Sequence, residues 1–141
     1  MMSNSVSEAR FSLILEGDNM PLDMIEKKLK LKPTRIIRKG EVLNRLPMMV
    51  AERDEWTHTI TLTNSQDTDA EMNQMLARVI LCQGVLSEMA ANDGIKVRLR
   101  LYVQSDYAQM SYRLMPETLQ RLVATGLPLD VTSLSWGELG I

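Results

Sequence analysis

The sequence predicts an α+β fold, a two-layer sandwich in which a mainly antiparallel sheet carries helices on one face. Its core is expected to be ferredoxin-like, with element order βαββαβ preceded by an extra strand and helix. Three observations lead there. Trp56 to Thr63 and Ile95 to Gln104 alternate apolar and polar residues with period two, as half-buried strands do. The segment between them repeats apolar residues at helical spacing. Each of these two strands also keeps one polar face, so helices cover only one side of the sheet.

Residues Arg10 to Leu15 open the pattern, with Phe11, Leu13 and Leu15 on one face of an extended segment. Gly17, Asp18 and Asn19 then turn the chain, and Pro21 begins a helix carrying Leu22, Ile25 and Leu29, with Asp18 as its expected cap. Pro33 stops that helix by Lys32. From Pro33 to Glu55 the pattern is irregular: Ile36 and Ile37 suit a short edge strand, Gly40 a turn, and Pro47 interrupts the apolar cluster Met48 to Val50. A connection this long predicts a functional loop.

In the strand Trp56 to Thr63, Trp56, His58, Ile60 and Leu62 share the packed face and four threonines share the other. Thr68 and Glu71 form a capping-box pattern ahead of the longest helix, in which Met75, Val79, Cys82, Leu86 and Met89 recur, ending near Asn92-Asp93-Gly94. Gly84 inside it costs about 1 kcal/mol unless a close helix-to-sheet contact needs the missing side chain. Ile95 to Gln104 places Lys96, Arg98, Arg100 and Tyr102 on its polar face, and Ala108 to Leu114 is expected to return as an antiparallel hairpin strand. Pro116 starts a helix with Leu119, Leu122 and Val123 inward, Gly126 ends it, and Leu127 to Trp136 is the last strand.

At 141 residues, with 45% apolar and 24% charged residues, residues 1–141 are expected to fold as one domain. The N-terminus lacks a basic stretch followed by an apolar core, and no apolar run approaches the roughly 18 residues of a membrane span, so a cytoplasmic protein without membrane contact is expected. Charge is uneven. Lys27 to Arg45 holds eight basic residues and one acid, while the rest of the chain holds eight bases and seventeen acids. Lys27, Lys28 and Lys30 fall on the solvated side of a helix, Lys27 and Lys30 each at i,i+4 from an acid. The segment from Pro33 onward is the contact candidate.

These residues also resemble a known family. A strand ending in Gly17-Asp18, an amphipathic helix, then Leu31-Lys32-Pro33-Thr34, Lys39-Gly40-Glu41, Trp56 opening a strand, and Leu129-Asp130 after the closing helix resemble the bacterial family described as domain of unknown function 4279. The resemblance covers nearly the whole chain. It implies a compact intracellular bacterial domain and no established activity; an immunity-type role is an analogy with other small families of this kind.

The residue types disfavour catalysis. The single histidine, His58, lies on the packed face, where a structural or interfacial role is expected. One Cys and one His make no zinc set, the carboxylates make no calcium loop, and Lys39-Gly40-Glu41 lacks the spacing of a phosphate-binding loop. No metal and no cofactor is expected. Two binding readings remain. In the first, a non-enzymatic immunity-type or adaptor domain grips a protein partner through loop 32–45, with Arg35, Arg38, Lys39 and Glu41 at the contact and Met48, Met49 and Trp56 as apolar anchors. In the second, Lys96, Arg98, Arg100, Tyr102 and Arg113 line an open sheet face for single-stranded nucleic acid. Tyr102 is the one ring placed there, where stacking platforms use two or three.

Overall fold

The computed structural model describes residues 6–62, 68–107 and 112–138. Its elements run β1 (Val6–Gly17), α1 (Leu22–Leu29), β2 (Arg35–Ile37), β3 (Val42–Arg45), β4 (Met48–Val50), β5 (Asp54–Leu62), α2 (Thr68–Leu81), α3 (Gln83–Asp93), β6 (Lys96–Tyr107), α4 (Pro116–Ala124) and β7 (Leu129–Glu138). The main sheet has strand order β2-β5-β1-β6-β7. Every pairing in it is antiparallel except β6 with β7, and β3 and β4 form a separate two-stranded sheet. The α+β class and the mostly antiparallel sheet are as the sequence predicts.

The side-chain period decides which face packs. On β1, Ala9, Phe11, Leu13 and Leu15 have no exposed area, and their register partners Leu62, Ile60, His58 and Trp56 on β5 and Val103, Leu101, Leu99 and Val97 on β6 fall on the same face. Leu22, Ile25 and Leu29 of α1, Met72, Leu76 and Val79 of α2, Leu86 and Met89 of α3 and Leu122 of α4 join that cluster. Each fully buried side chain of this size contributes about 1.5–3 kcal/mol. The opposite face carries Arg10, Ser12, Ile14 and Glu16 beside the β5 threonines.

Several expectations need correction. The order from β5 is one strand short of βαββαβ among the described residues. The expected hairpin strand 108–114 lies partly outside them, Tyr112 to Leu114 form no strand, and both edges of β6 are taken by β1 and β7. The strand order instead interleaves two units, β1-α1-β2 straddling β5 and β5-α2-α3-β6 straddling β1. The predicted long helix is two, broken at Cys82, whose N–H reaches both Arg78 and Val79 carbonyls at 3.1 Å. The apolar stripe Met75, Val79, Cys82, Leu86 and Met89 stays buried straight through the break. The Thr68 side chain of the expected capping box lies outside the described residues.

Asp18 does not cap α1. The helix begins behind Pro21 with no side-chain cap, and the carboxylate that takes a backbone N–H of this turn belongs to Asp54. In α4, Leu119 and Val123 point outward, and the inward face is Thr118, Leu122 and Thr125. Both threonines are satisfied, Thr118 by Asp69 of α2 at 3.1 Å and Thr125 by the Leu122 carbonyl at 2.6 Å.

Candidate functional site

Residues 33–55 are ordered by local chemistry. Thr34 takes its N–H to the Thr57 carbonyl at 2.7 Å and its hydroxyl accepts the Thr59 N–H, which docks β2 on the sheet edge. Ile36 and Ile37 do lie in that edge strand. Arg38 to Glu41 then make a turn closed by Glu41 N–H to Arg38 carbonyl at 3.0 Å, with Gly40 at φ +91°. A positive φ at the third position is the demand of a type II turn, and glycine meets it without strain. The Glu41 carboxylate accepts the Arg38 N–H at 3.3 Å. Beyond the turn the expected loop is a hairpin, β3 and β4, with Leu46 and Pro47 at its tip.

The base of this hairpin is clamped by Gly40 N–H to Ala51 carbonyl at 2.9 Å and Ala51 N–H to Glu41 carbonyl at 2.8 Å. Behind it the buried carboxylate of Asp54 accepts the N–H groups of Lys39 at 2.8 Å and Met20 at 3.0 Å. These bonds hold the Asp54 carboxyl below its usual range, the Lys39 N–H contributing most, burial opposing, and Met20 and the charges of Arg38 and Lys39 adding to the shift.

The hairpin itself rests on little. Val42, Leu43, Leu46, Met48, Met49 and Val50 are all exposed, from 44% at Leu43 to 89% at Leu46. Six large apolar side chains within nine consecutive residues make a patch of the kind that marks interaction sites on soluble domains. Arg38, Lys39 and Arg45 lie exposed within or beside it. Of the residues expected at a partner contact, Arg35, Arg38, Lys39, Glu41, Met48 and Met49 are exposed. Trp56 is not: it has no exposed area and is a core residue, so it cannot anchor a partner. The alternation of β5 already placed it inward.

The second surface is the sheet face away from the helices. Arg98 bonds Glu16 at 2.5 Å and Asp130 at 2.9 Å, which neutralises it and raises its pKa, although burial acts the other way. Lys96 is exposed at the start of β6, and Arg113 is exposed in the stretch before α4. Arg100 and Tyr102 help line a trough of about 260 Å³ with Arg10, Ser12, Ile14, Arg35, Glu55, Thr57 and Thr59. Arg10, Arg35 and Ser12 were not linked to Arg100 by sequence reasoning, yet strand pairing Arg10 with Tyr102, Ser12 with Arg100 and Arg35 with Thr57 brings them together.

A second depression, of about 310 Å³, lies between β5 and α2 and is lined by Leu31, His58, Ile60, Glu71, Gln74, Met75 and Arg78. His58 Nδ1 sits 2.7 Å from the Lys32 carbonyl, so Nδ1 carries the proton and donates. No hydroxyl or thiol lines this depression for His58 to activate. Cys82 is buried, donates to the Leu29 carbonyl at 3.4 Å, and its thiol is pushed up by burial. Among the described residues no three His, Cys, Asp or Glu side chains group as a metal site, and no helix is long and apolar enough to cross a membrane.

A family model described as a domain of unknown function, DUF4279, matches residues 7–136. No curated protein and no solved structure matches the chain.

Proposed function

The chain belongs to the DUF4279 family, and for this member we propose a non-enzymatic protein-binding role in which a partner seats on the β3–β4 hairpin. One observation carries the reading: six large apolar side chains stand exposed on residues 42–50, an area the fold leaves in water. Leaving it uncovered forgoes about 25 cal/mol for every Å² that a partner would bury. The basic side chains of Arg38, Lys39 and Arg45 at the rim favour a partner whose apolar centre is ringed by carboxylates. The Asp54 bonds and the clamp at Ala51 hold the hairpin base still, which lowers the ordering cost of association. A cytoplasmic adaptor or immunity-type role in a bacterium suits such a domain, the latter by analogy alone. We also read the interleaved units β1-α1-β2 and β5-α2-α3-β6 as a ferredoxin-like arrangement that begins at β1 and is followed, not preceded, by the extra helix and strand.

The test is co-purification from the native host with the wild-type chain, and with Leu46→Ser and Met48→Ser combined. The partner is expected to be retained by the wild type and lost by the variant, whose melting temperature stays unchanged. Equal retention by both proteins, or no retained protein at all, overturns the proposal.

A further inference from the structure

We propose that the trough on the uncovered sheet face, walled by Arg10, Arg35 and Arg100, binds a phosphoryl group. This site is separate from the hairpin patch and does not depend on it.

Strand register builds the trough. Its floor is made of the small or medium side chains Ser12, Ile14, Thr57 and Thr59, which occupy adjoining positions on β1 and β5. Long side chains rise around that floor: Arg35 from β2, Arg10 from β1, and Arg100 and Tyr102 from β6. Three guanidinium groups from three different strands therefore border one depression. Guanidinium forks match the oxygens of phosphate in paired hydrogen bonds, and several such forks on one tetrahedral group use more of its oxygens than they could on a planar carboxylate.

Charge pairing on this face is selective. Arg98 has two carboxylates at 2.5 and 2.9 Å. Arg100, two residues on and on the same face, has no carboxylate oxygen within 4.0 Å among the described residues, and neither has Arg35. Arg100 is half-buried, so its charge has shed part of its water without gaining a counter-ion among the described residues. A bound oxyanion would supply one. The geometry is also set in advance, because the Tyr102 ring holds the Arg10 guanidinium at 4.9 Å and that of Arg100 at 5.9 Å.

The remaining lining groups describe the rest of the ligand. Arg10 is partly offset by Glu8 at 3.1 Å. Glu55 is the one carboxylate among the lining residues, and it accepts the Thr57 hydroxyl at 3.1 Å. Its acceptor capacity suits a ligand that carries hydroxyl or amino donors beside the phosphoryl group. About 260 Å³ accommodates a small ligand, such as a sugar phosphate or part of a nucleotide. The same oxygens are offered by a free monophosphate and by the backbone of a single-stranded nucleic acid, and the experiment separates these sources.

Calorimetric titration at neutral pH and constant ionic strength in chloride, with inorganic phosphate, adenosine monophosphate and a short oligodeoxythymidylate, tests the proposal on the full chain. Saturable binding of at least one probe is expected, weakened about tenfold or more by Arg100→Gln and by Arg35→Gln, and unchanged by Lys96→Gln on the same face. Arg35 is exposed, so its variant keeps the test valid should Arg100→Gln fold poorly. Tightest binding by the monophosphate identifies a small ligand, and tightest binding by the oligonucleotide with steep salt dependence identifies nucleic acid. No saturable binding of any probe up to about 10 mM, or binding that neither arginine variant weakens, overturns it.

Discussion

The Asp54 carboxylate accepts the Lys39 backbone N–H at 2.8 Å, tying the first residue of strand β5 to the turn that launches the hairpin. A second bond, to Met20 N–H, ties the same carboxylate to the entrance of α1. Asp54→Asn keeps the shape and removes the charge, and is expected to cost about 2 kcal/mol at neutral pH, the worth of charge-assisted bonds in a buried setting.

The pH dependence of that loss has a fixed sign. Asp54 is held below its ordinary value of 3.8, so its contribution is complete above that value and fades as pH falls through the lower folded value. Urea unfolding of wild type and Asp54→Asn at a series of pH values should show the gap between them closing in acid, below about pH 4. A gap that stays constant to the acid limit would contradict this account.

Gly40→Ala isolates the turn. A methyl group there meets nothing within 4 Å, so sterics with neighbours are absent and only φ +91° opposes it. The expected loss is about 1 kcal/mol, read as a lower melting temperature and faster amide exchange at Ala51.

Gly84 gives the opposite sign. It lies in the first turn of α3, exposed, with open space where a Cβ would stand, so no close helix-to-sheet contact needs the glycine. Gly84→Ala should raise stability by about 0.5–1 kcal/mol in thermal or urea unfolding. An unchanged or lower midpoint would refute the open-space argument.

Trp56 is fully buried and its indole N–H has no hydrogen-bond partner. An orphaned buried donor is itself a cost of about 1–3 kcal/mol, so Trp56→Phe should lose packing and regain part of that penalty, for a net loss of about 1 kcal/mol or less. Trp56→Ala should lose about 3–5 kcal/mol. Both variants remove the N–H, so the size of the Trp56→Phe loss is the test: a loss well above about 1 kcal/mol would show that the N–H carries no penalty.

Alternation found β1, β5 and β6 because one face of each packs against helices and the other does not. The same rule failed where no core lies beneath. Val42 to Val50 carries apolar residues on both faces, so no period marks it as paired strands, and the signals that were present, Gly40 and the Pro47 tip, fix turns without saying what joins them. The break at Cys82 was invisible for the reverse reason, since the buried stripe continues through it. In α4 the inward threonines both find hydrogen-bond partners, Thr118 on α2 and Thr125 within its own turn, and counting apolar residues therefore turned Leu119 and Val123 the wrong way. The trough on the open face depends on which residues of β1, β2, β5 and β6 stand side by side. That register is long-range, and Arg10, Arg35 and Arg100 are scattered along the sequence.

Residues 42–50 leave the sheet and return to it at a single doorway, closed by the two hydrogen bonds between Ala51 and the Gly40-Glu41 pair. Beyond that doorway the hairpin pairs with no strand of the main sheet, and only Leu43, Met49 and Val50 border a depression shared with Ile37 and Glu55. Evolution can therefore lengthen, shorten or rewrite these nine residues while the body of the domain stays fixed. Divergence among chains of this fold should therefore concentrate in that one hairpin.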